Sequence, residues 1–195
     1  MGSATSTLGL LERFQKGDTE AFTLLFRKYH RRLWVLVYYK MGPEMRAKLE
    51  PDDVVQEVFL EASRNLKNFT YRSPGSLMGW LSRIADHVIV DESRYQNRGK
   101  RQAGEMLRFK SESNPGGPEP ADTDTPSRIF ARAEGMERLL KRLNALPLEY
   151  KEVILLAKFE GQTTAEMAER LGKSRENIAL TLHRALKRFR ELDEP

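Results

Sequence analysis

The sequence predicts an all-α protein in which two helical domains are joined by a flexible linker. Apolar residues recur every three or four positions along most of the chain, as on one face of an α-helix, and no segment shows the two-residue alternation of a half-buried strand. Residues 111–127 interrupt this pattern with four prolines and four acidic residues, and they contain no lysine or arginine. Such a segment cannot bury an apolar face and is predicted to be extended. We therefore expect a first domain over residues 8–103, a linker over 104–127 and a second domain over 128–192.

Composition limits the class of protein and suggests the chemistry of its partner. A chain of 195 residues with 39% apolar residues can bury one core of moderate size or two small ones. It has no cysteine, which excludes disulfides and thiolate metal sites, and no apolar run long enough to span a membrane. Lysine and arginine (33) exceed aspartate and glutamate (28), which leaves a net charge of +5. We expect a cytoplasmic protein with an acidic partner, and nucleic acid is the first candidate.

Four helices are predicted in the first domain. A short amphipathic segment over Leu8–Gln15 comes first, and Asp18 is a good N-cap for a longer second helix that Gly42-Pro43 ends. Pro51 opens the third helix, at a position where a missing N–H costs nothing. After a loop, a fourth helix is predicted from Ser76 to about Arg98.

The third helix carries a stripe of carboxylates on its outer side. Asp53, Glu57 and Glu61 recur every four residues, flanked by Gln56, while its valines face inward. This stripe suits a basic partner surface. Carboxylates on one helix face can instead bind Mg²⁺ or Mn²⁺ when a second helix supplies further ligands. No matching carboxylate or Glu-x-x-His pair occurs elsewhere in the sequence, so the metal site is the weaker interpretation.

The fourth helix combines an aromatic residue with cations on the face opposite its apolar stripe. That face carries Trp80, Arg83, His87, Val90, Arg94 and Arg98. Aromatic rings stack on unpaired bases and cations neutralise phosphate, so this combination is typical of single-strand binding. The alternative is that these long side chains simply cover the edge of a core.

The second domain is predicted to be a four-helix unit that ends in a helix-turn-helix. A helix over Arg128–Ala145 and one over Tyr150–Phe159, ended by Gly161, come first. In the segment from Thr163 to Arg190, the residues Ala168, Gly172 and Ile178 have the spacing that a close helix crossing, a left-handed turn and a buried contact require. Ser174 is a good N-cap for the second helix of this pair.

That second helix has a basic outer face. Ile178, Leu182, Ala185 and Phe189 form its apolar stripe. The helix also carries five cations, Arg175, Arg184, Lys187, Arg188 and Arg190, against the single acid Glu176. This excess suits phosphate contact, and the alternative is a solvated basic face on an ordinary packed helix pair.

The order of these motifs resembles a bacterial RNA polymerase sigma factor of the extracytoplasmic-function (ECF) group. The resemblance covers Leu10 to Leu192. The motifs that carry it are Asp53-Val54-Val55-Gln56-Glu57-Val58-Phe59, Trp80-Leu81-x-Arg83-Ile84-Ala85 followed by Asp91-x-x-Arg94, Leu146-Pro147, and Leu182-His183-Arg184-Ala185. Several motifs in the right order are far more specific than a lone helix-turn-helix. The two domains would then be similar to sigma region 2 and sigma region 4.

The resemblance implies a transcription initiation factor that directs core RNA polymerase to promoters. Its partners would be the β′ clamp helices and β flap of the polymerase and promoter DNA, and its acidic linker would thread the polymerase channels. Polymerase docking would fall to Asp53, Gln56 and Glu57. Binding of the melted minus-ten strand would fall to Asn68, Arg72, Trp80, Arg83, His87, Arg94 and Arg98. Reading of the minus-thirty-five duplex would fall to Ser174, Arg175, Glu176, Asn177, Leu180, Arg184, Lys187 and Arg188.

The resemblance implies neither an enzyme nor a cofactor, and no Ser-His-Asp spacing or phosphate-binding glycine loop occurs. An anti-sigma protein is a further partner that exposed docking surfaces would suit. The chain departs from the family pattern at His87, where asparagine is usual, and at Ala179-Leu180-Thr181, where a basic or polar triplet is usual. The alternative function is a helix-turn-helix regulator that binds duplex DNA as a dimer and never joins the polymerase.

Overall fold

The structure is a computed structural model that describes residues 6–101 and 126–192, with side chains described for 6–95 and 135–192. All regular secondary structure in these ranges is helical, which confirms the predicted all-α class. The α-helices are α1 (Thr7–Gln15), α2 (Thr19–Lys40), α3 (Pro43–Arg46), α4 (Pro51–Asn65), α5 (Ser76–Arg101), α6 (Pro126–Asn144), α7 (Leu148–Ile154), α8 (Thr164–Leu171) and α9 (Arg175–Glu191). Residues 102–125, which include most of the predicted linker, lie outside the described residues, and α6 begins within the range predicted as linker.

The first helical module is built from α1, α2, α4 and α5 around one core. Asp18 caps α2 by accepting from the backbone N–H groups of Glu20 and Ala21, at 3.0 and 3.3 Å. Pro51 stands at the start of α4, as predicted. The one-turn helix α3 was not predicted; Pro43 ends the preceding helix and also starts a new turn, where its fixed φ is already helical.

The valines of α4 fix the orientation of that helix. Val54, Val55 and Val58 are at most 1% exposed and pack against leucines of α2 and α5. Burial of this face leaves the opposite face of α4 to solvent. The carboxylate stripe therefore lies outside because the apolar stripe lies inside.

The second module starts with α6 and α7, and α7 continues as a π-helical turn over Leu155–Glu160. Sequence periodicity predicts one regular helix here, because apolar spacing does not distinguish i→i+5 from i→i+4 hydrogen bonds. The turn ends at Gly161, whose φ of 79° lies in the left-handed region that glycine adopts without strain. The backbone N–H of Gln162 then returns to the carbonyl of Leu156 at 3.0 Å.

Helices α8 and α9 form the predicted helix-turn-helix. Gly172 has a φ of 62° and makes the turn, and Ser174 caps α9 by accepting from the backbone N–H of Asn177 at 3.2 Å. Ala168 and Ile178, at 8% and 0% exposure, lie where the two helices cross. The sequence prediction of this motif is confirmed residue by residue.

The two modules pack directly against each other. Val35 of α2 is fully buried in an apolar cluster with Leu143 and Ile154 of the second module. Arg32 Nε donates to the carbonyl of Phe159 at 3.2 Å. The Tyr39 hydroxyl donates to Asn144 Oδ1 at 3.0 Å, and burial raises the pKa of Tyr39 to about 12. We call this packing the closed arrangement.

A buried carboxylate lies at the centre of this contact. Glu160, 6% exposed, is reached by Lys40 Nζ of α2 at 3.2 Å, by Arg170 Nη1 of α8 at 2.8 Å and by Gln162 Nε2 at 2.7 Å. Lys40 also reaches Asp86 of α5 at 2.6 Å. A buried charge is tolerated only when partners satisfy it, so these side chains tie the two modules together.

Candidate polymerase and nucleic-acid interfaces

The outer face of α4 is an exposed acidic strip. Asp53, Gln56 and Glu57 are all exposed, and their side chains make no hydrogen bond or ion pair with the part of the chain that the structure describes. Leu60, 47% exposed, continues the strip one turn further. The neighbouring Asp52 is engaged instead, since Trp34 Nε1 donates to it at 2.9 Å. The strip thus offers two carboxylates, an amide and one apolar side chain to a partner.

The sequence pattern alone did not indicate Leu60, because an apolar residue in a helix is expected to face the core. The signal was nevertheless present: Leu60 follows Gln56 and Glu57 by four and three positions, which places it on the same helix face. Burial of the Leu60 side chain against a partner would add apolar contact to an otherwise polar strip.

Residues of α5 and of the loop before it meet at one cleft. Asn68, Arg72 and Arg83 line this cleft, which has a volume of about 1130 Å³. His87 and Arg94 continue along the exposed face of α5, and Arg94 lies 3.4 Å from Asp91. The side chain of Arg98 lies outside the described residues.

Trp80 is not the exposed aromatic side chain that the sequence analysis expected. It is half-buried, packs against the core of the first module and contacts the Phe69 ring with centroids 5.0 Å apart. Helical periodicity placed Trp80 opposite the apolar stripe but could not reveal that the loop brings Phe69 over it. The aromatic pair forms a wall of the cleft rather than a free platform.

The second module supplies the other wall of this cleft. Gln162, Thr163 and Glu166 line it from the start of α8. The backbone N–H and hydroxyl of Thr163 donate to the Glu166 carboxylate at 2.7 and 2.8 Å, and these bonds lower the pKa of Glu166. In the closed arrangement the cleft is therefore lined by arginines of the first module and by carboxylates of the second.

The outer face of α9 is cationic, and all eight predicted minus-thirty-five residues are exposed. These are Ser174, Arg175, Glu176, Asn177, Leu180, Arg184, Lys187 and Arg188. Two of them also have a structural role at the start of the helix. Ser174 is the N-cap, and the pKa of Glu176 is lowered by its own backbone N–H and by the Ser174 side chain, so both stabilise the start of the helix.

The cations further along α9 differ in their partners. Arg188 lies 3.2 Å from Glu191. Arg184 and Lys187 form no ion pair with any residue in the described ranges. These two side chains are therefore free to meet an external anion.

Within the triplet Ala179-Leu180-Thr181, only the first two residues face outward. Thr181 is 8% exposed, and its hydroxyl donates to Asn177 Oδ1 at 3.1 Å. The departure from the family pattern at Thr181 therefore changes the inner side of α9 rather than its outer face.

Grouped metal ligands or a membrane span would indicate other classes of function. Over residues 6–95 and 135–192, no three histidine, aspartate or glutamate side chains are grouped so that they could hold a metal ion. No helix among the described residues is long and apolar enough to cross a bilayer.

Comparison with known proteins assigns the chain to a family. The family model described as ECF sigma factor matches residues 5–193. The ECF RNA polymerase sigma factor BldN of Streptomyces coelicolor is 28% identical over 184 residues, which cover 94% of this chain and 64% of BldN. The RNA polymerase sigma-H factor of Pseudomonas aeruginosa is 30% identical over 161 residues, which cover 82% of this chain and 79% of that protein. The solved structure of CnrH in complex with the cytosolic domain of CnrY is 24% identical, with a TM-score of 0.44 over 94% of each chain. The match along nearly the whole length shows that this chain belongs to the ECF sigma factor family, whose members are transcription initiation factors that bind RNA polymerase.

Proposed function

We propose that the chain joins core RNA polymerase through α4, holds the melted minus-ten strand at the cleft beside α5, and reads the minus-thirty-five duplex with α9. The observation that carries this assignment is that one chain presents separate surfaces of opposite charge. An acidic strip without internal partners lies on α4, arginines line the cleft beside α5, and a cationic face lies on α9. A division into a first domain over 8–103, a linker over 104–127 and a second domain over 128–192 follows the same separation of roles.

Docking on the polymerase would use Asp53, Gln56 and Glu57. Their exposure leaves the carboxylates hydrated in the free protein, so a basic surface such as that expected of the β′ clamp helices would attract them without first breaking internal bonds. Charges at the rim of an interface mainly raise the association rate and fix the register, whereas a buried apolar side chain holds the complex together. The second module would contact the β flap.

Capture of the minus-ten strand needs no catalytic group. Melting requires that unpaired bases be held away from their partners, and pockets with aromatic walls and nearby cations can do so. The cleft offers the Phe69–Trp80 wall and the cations Arg72 and Arg83, with Asn68 as a hydrogen-bonding group. His87, Arg94 and Arg98 would follow the strand along α5.

Recognition of the minus-thirty-five element would use the exposed face of α9 in the major groove. Arg184 and Lys187 would contact phosphates, and Asn177 and Leu180 stand nearer the start of the helix, where base edges are usually reached. Ser174 and Glu176 would fix the end of the helix that enters the groove.

The closed arrangement cannot serve both promoter elements at once. Elements near minus ten and minus thirty-five lie about 25 base pairs apart, which is roughly 85 Å of duplex at about 3.4 Å per base pair. A compact chain of 195 residues has a radius of gyration of only about 16 Å. Binding to polymerase would therefore separate the modules and uncover the cleft.

A regulator that binds duplex DNA without the polymerase is the alternative, and the comparisons do not favour it. Such a protein would have no use for the acidic strip on α4. We also propose that the chain acts in the cytoplasm, where polymerase and promoters are found, and that an anti-sigma protein could cover the strip or the cleft.

Run-off transcription tests the proposal. Core polymerase is incubated with promoter DNA, with and without the full chain, and the transcripts are mapped. We expect a defined start that depends on the chain. Transcripts that do not change when the chain is added, together with failure to bind core polymerase, would leave the regulator as the better assignment.

A further inference from the structure

One large apolar side chain stands on the outer face of α9. Leu180 is 50% exposed, whereas Ile178 and Ala185 of the same helix are fully buried. The residues three and four positions away from Leu180 share its face and are exposed and polar: Glu176, Asn177, His183 and Arg184. Leu180 is thus a single aliphatic side chain surrounded by polar ones.

The fold does not use this side chain. Leu180 belongs to none of the apolar clusters among the described residues, and no neighbouring element covers it. The register of α9 is firm at this point, because Ile178 and Thr181 on either side of Leu180 are both buried. Leu180 therefore cannot be brought into the core by a small rotation of the helix.

The charges around Leu180 identify the class of partner. Arg184 lies one turn further along the same face, Lys187 follows it, and neither has an ion-pair partner in the described residues. A cationic face of this kind is complementary to the phosphates of duplex DNA, which brings Leu180 against base edges in the major groove.

Only one feature of the major-groove edge matches an aliphatic side chain. Guanine, cytosine and adenine present hydrogen-bonding groups, which lose water without a replacement bond when leucine covers them. Thymine presents its C5-methyl group, and contact with that methyl buries apolar surface on both partners. We propose that Leu180 is a specificity-determining residue that packs on the methyl group of one thymine in the minus-thirty-five element.

This inference rests on the proposed function, since it requires α9 to lie in the major groove. It goes beyond that function by naming one base and one atom. It also gives the chain a sequence preference that arises at Leu180.

Deoxyuridine substitution isolates the methyl group. Holoenzyme made from core polymerase and the full chain is first used to select its preferred minus-thirty-five sequence, and each thymine of that sequence is then replaced in turn by deoxyuridine. Wild-type holoenzyme should lose binding at one position by roughly fourfold, the value expected for one buried methyl group. Leu180→Ala holoenzyme should bind the thymine promoter more weakly by a similar factor and show no further loss with deoxyuridine.

The control variant is Leu148→Ala, which shortens another exposed leucine, 79% exposed, at the start of α7. This variant should show the same loss of affinity on replacement of thymine by deoxyuridine as the wild type does. The inference is overturned if the selected element lacks thymine, if no thymine position responds, or if Leu180→Ala keeps the full difference. In each of these cases the holoenzyme still initiates transcription, so the proposed function stands. Absence of initiation at every promoter would instead contradict the proposed function.

Discussion

Glu57 lies in the middle of the acidic strip on α4, exposed and without an internal partner among the described residues. Replacing it with lysine reverses the charge where a basic surface is expected, and like charges at an interface repel. We expect Glu57→Lys to weaken binding to core polymerase by about tenfold or more and to leave duplex binding by the free chain unchanged.

The measurement is a titration of labelled chain with core polymerase. Glu12→Lys on α1 makes the same charge change at another exposed glutamate of this module and should bind as the wild type does. Equal affinities for the two variants would remove α4 from the docking surface.

Arg184 and Lys187 are two exposed cations of α9 that have no ion pair in the described ranges. Phosphate contacts release counterions, so each lost contact flattens the plot of log affinity against log salt by about one unit. The double variant Arg184→Ala, Lys187→Ala should therefore bind promoter duplex more weakly and with a slope smaller by about two units. Lys141→Ala combined with Lys158→Ala removes the same charge from exposed positions outside α9 and should retain the wild-type slope. An unaltered slope in the first variant would exclude those two side chains from the interface.

At the scale of the element, the start of α8 depends on an ionised side chain. Glu166 is held by hydrogen bonds from Thr163, which lower its pKa from the ordinary value of 4.5. The stabilisation from its charge is therefore present above pH 4.5 and is lost as the pH falls through the lower pKa of the folded state. Glu166→Gln keeps a carbonyl that can accept from Thr163 but cannot titrate.

The difference in free energy of unfolding between wild type and Glu166→Gln should shrink between about pH 6 and about pH 3. Urea unfolding followed by circular dichroism measures this difference. Glu169→Gln, at an exposed carboxylate later in α8, serves as control and should give a smaller change over the same range. If the difference in free energy of unfolding between wild type and Glu166→Gln does not depend on pH, the hydrogen bonds from Thr163 do not favour the ionised form of Glu166.

The elements that could be predicted are those encoded by neighbouring residues. The caps at Asp18 and Ser174 and the left-handed turn at Gly172 each depend on side chains or φ values within a few positions, so composition and spacing suffice. The π-helical turn before Gly161 was missed because its apolar spacing matches that of an α-helix. The half-burial of Trp80 was missed because the contact that covers it comes from the loop at Phe69.

The candidate faces were predictable for the same reason, and the contacts between modules were not. The exposed sides of α4 and α9 follow from their buried stripes by helical geometry alone. The partners of Glu160 come from α2 and α8, and Arg32 reaches a carbonyl 127 positions further along the chain. No local pattern records such pairings, since many surface cations and carboxylates could satisfy one another.

Across the molecule, one close backbone contact between the modules offers a way to disturb the closed arrangement. A Cβ added at Gly75 would overlap the carbonyl oxygen of Gly161. Both groups belong to the backbone, so a change of side-chain rotamer cannot relieve the overlap. Gly75→Ala should therefore shift the free chain toward separated modules. Small-angle scattering should show a radius of gyration above the roughly 16 Å of a compact chain, with helix content unchanged.

Gly79→Ala is the matched control. A Cβ there would lie 3.9 Å from the carbonyl oxygen of Glu160, an ordinary contact, so this variant should scatter like the wild type. Because binding to polymerase is proposed to separate the modules, Gly75→Ala should also bind core polymerase more tightly, since less of the binding energy is spent on separation. An unchanged radius of gyration for Gly75→Ala would mean that the contact does not hold the modules together.

Single-round run-off transcription tests whether the chain directs core polymerase to a promoter. Core polymerase, the full chain and a promoter obtained by selection are combined, and the 5′ ends of the transcripts are mapped. We expect one defined start that requires the chain, is lost with Glu57→Lys, and is weakened when either the minus-ten or the minus-thirty-five element is scrambled. A transcript pattern that is the same with and without the chain, or a start that ignores both elements, would contradict this expectation.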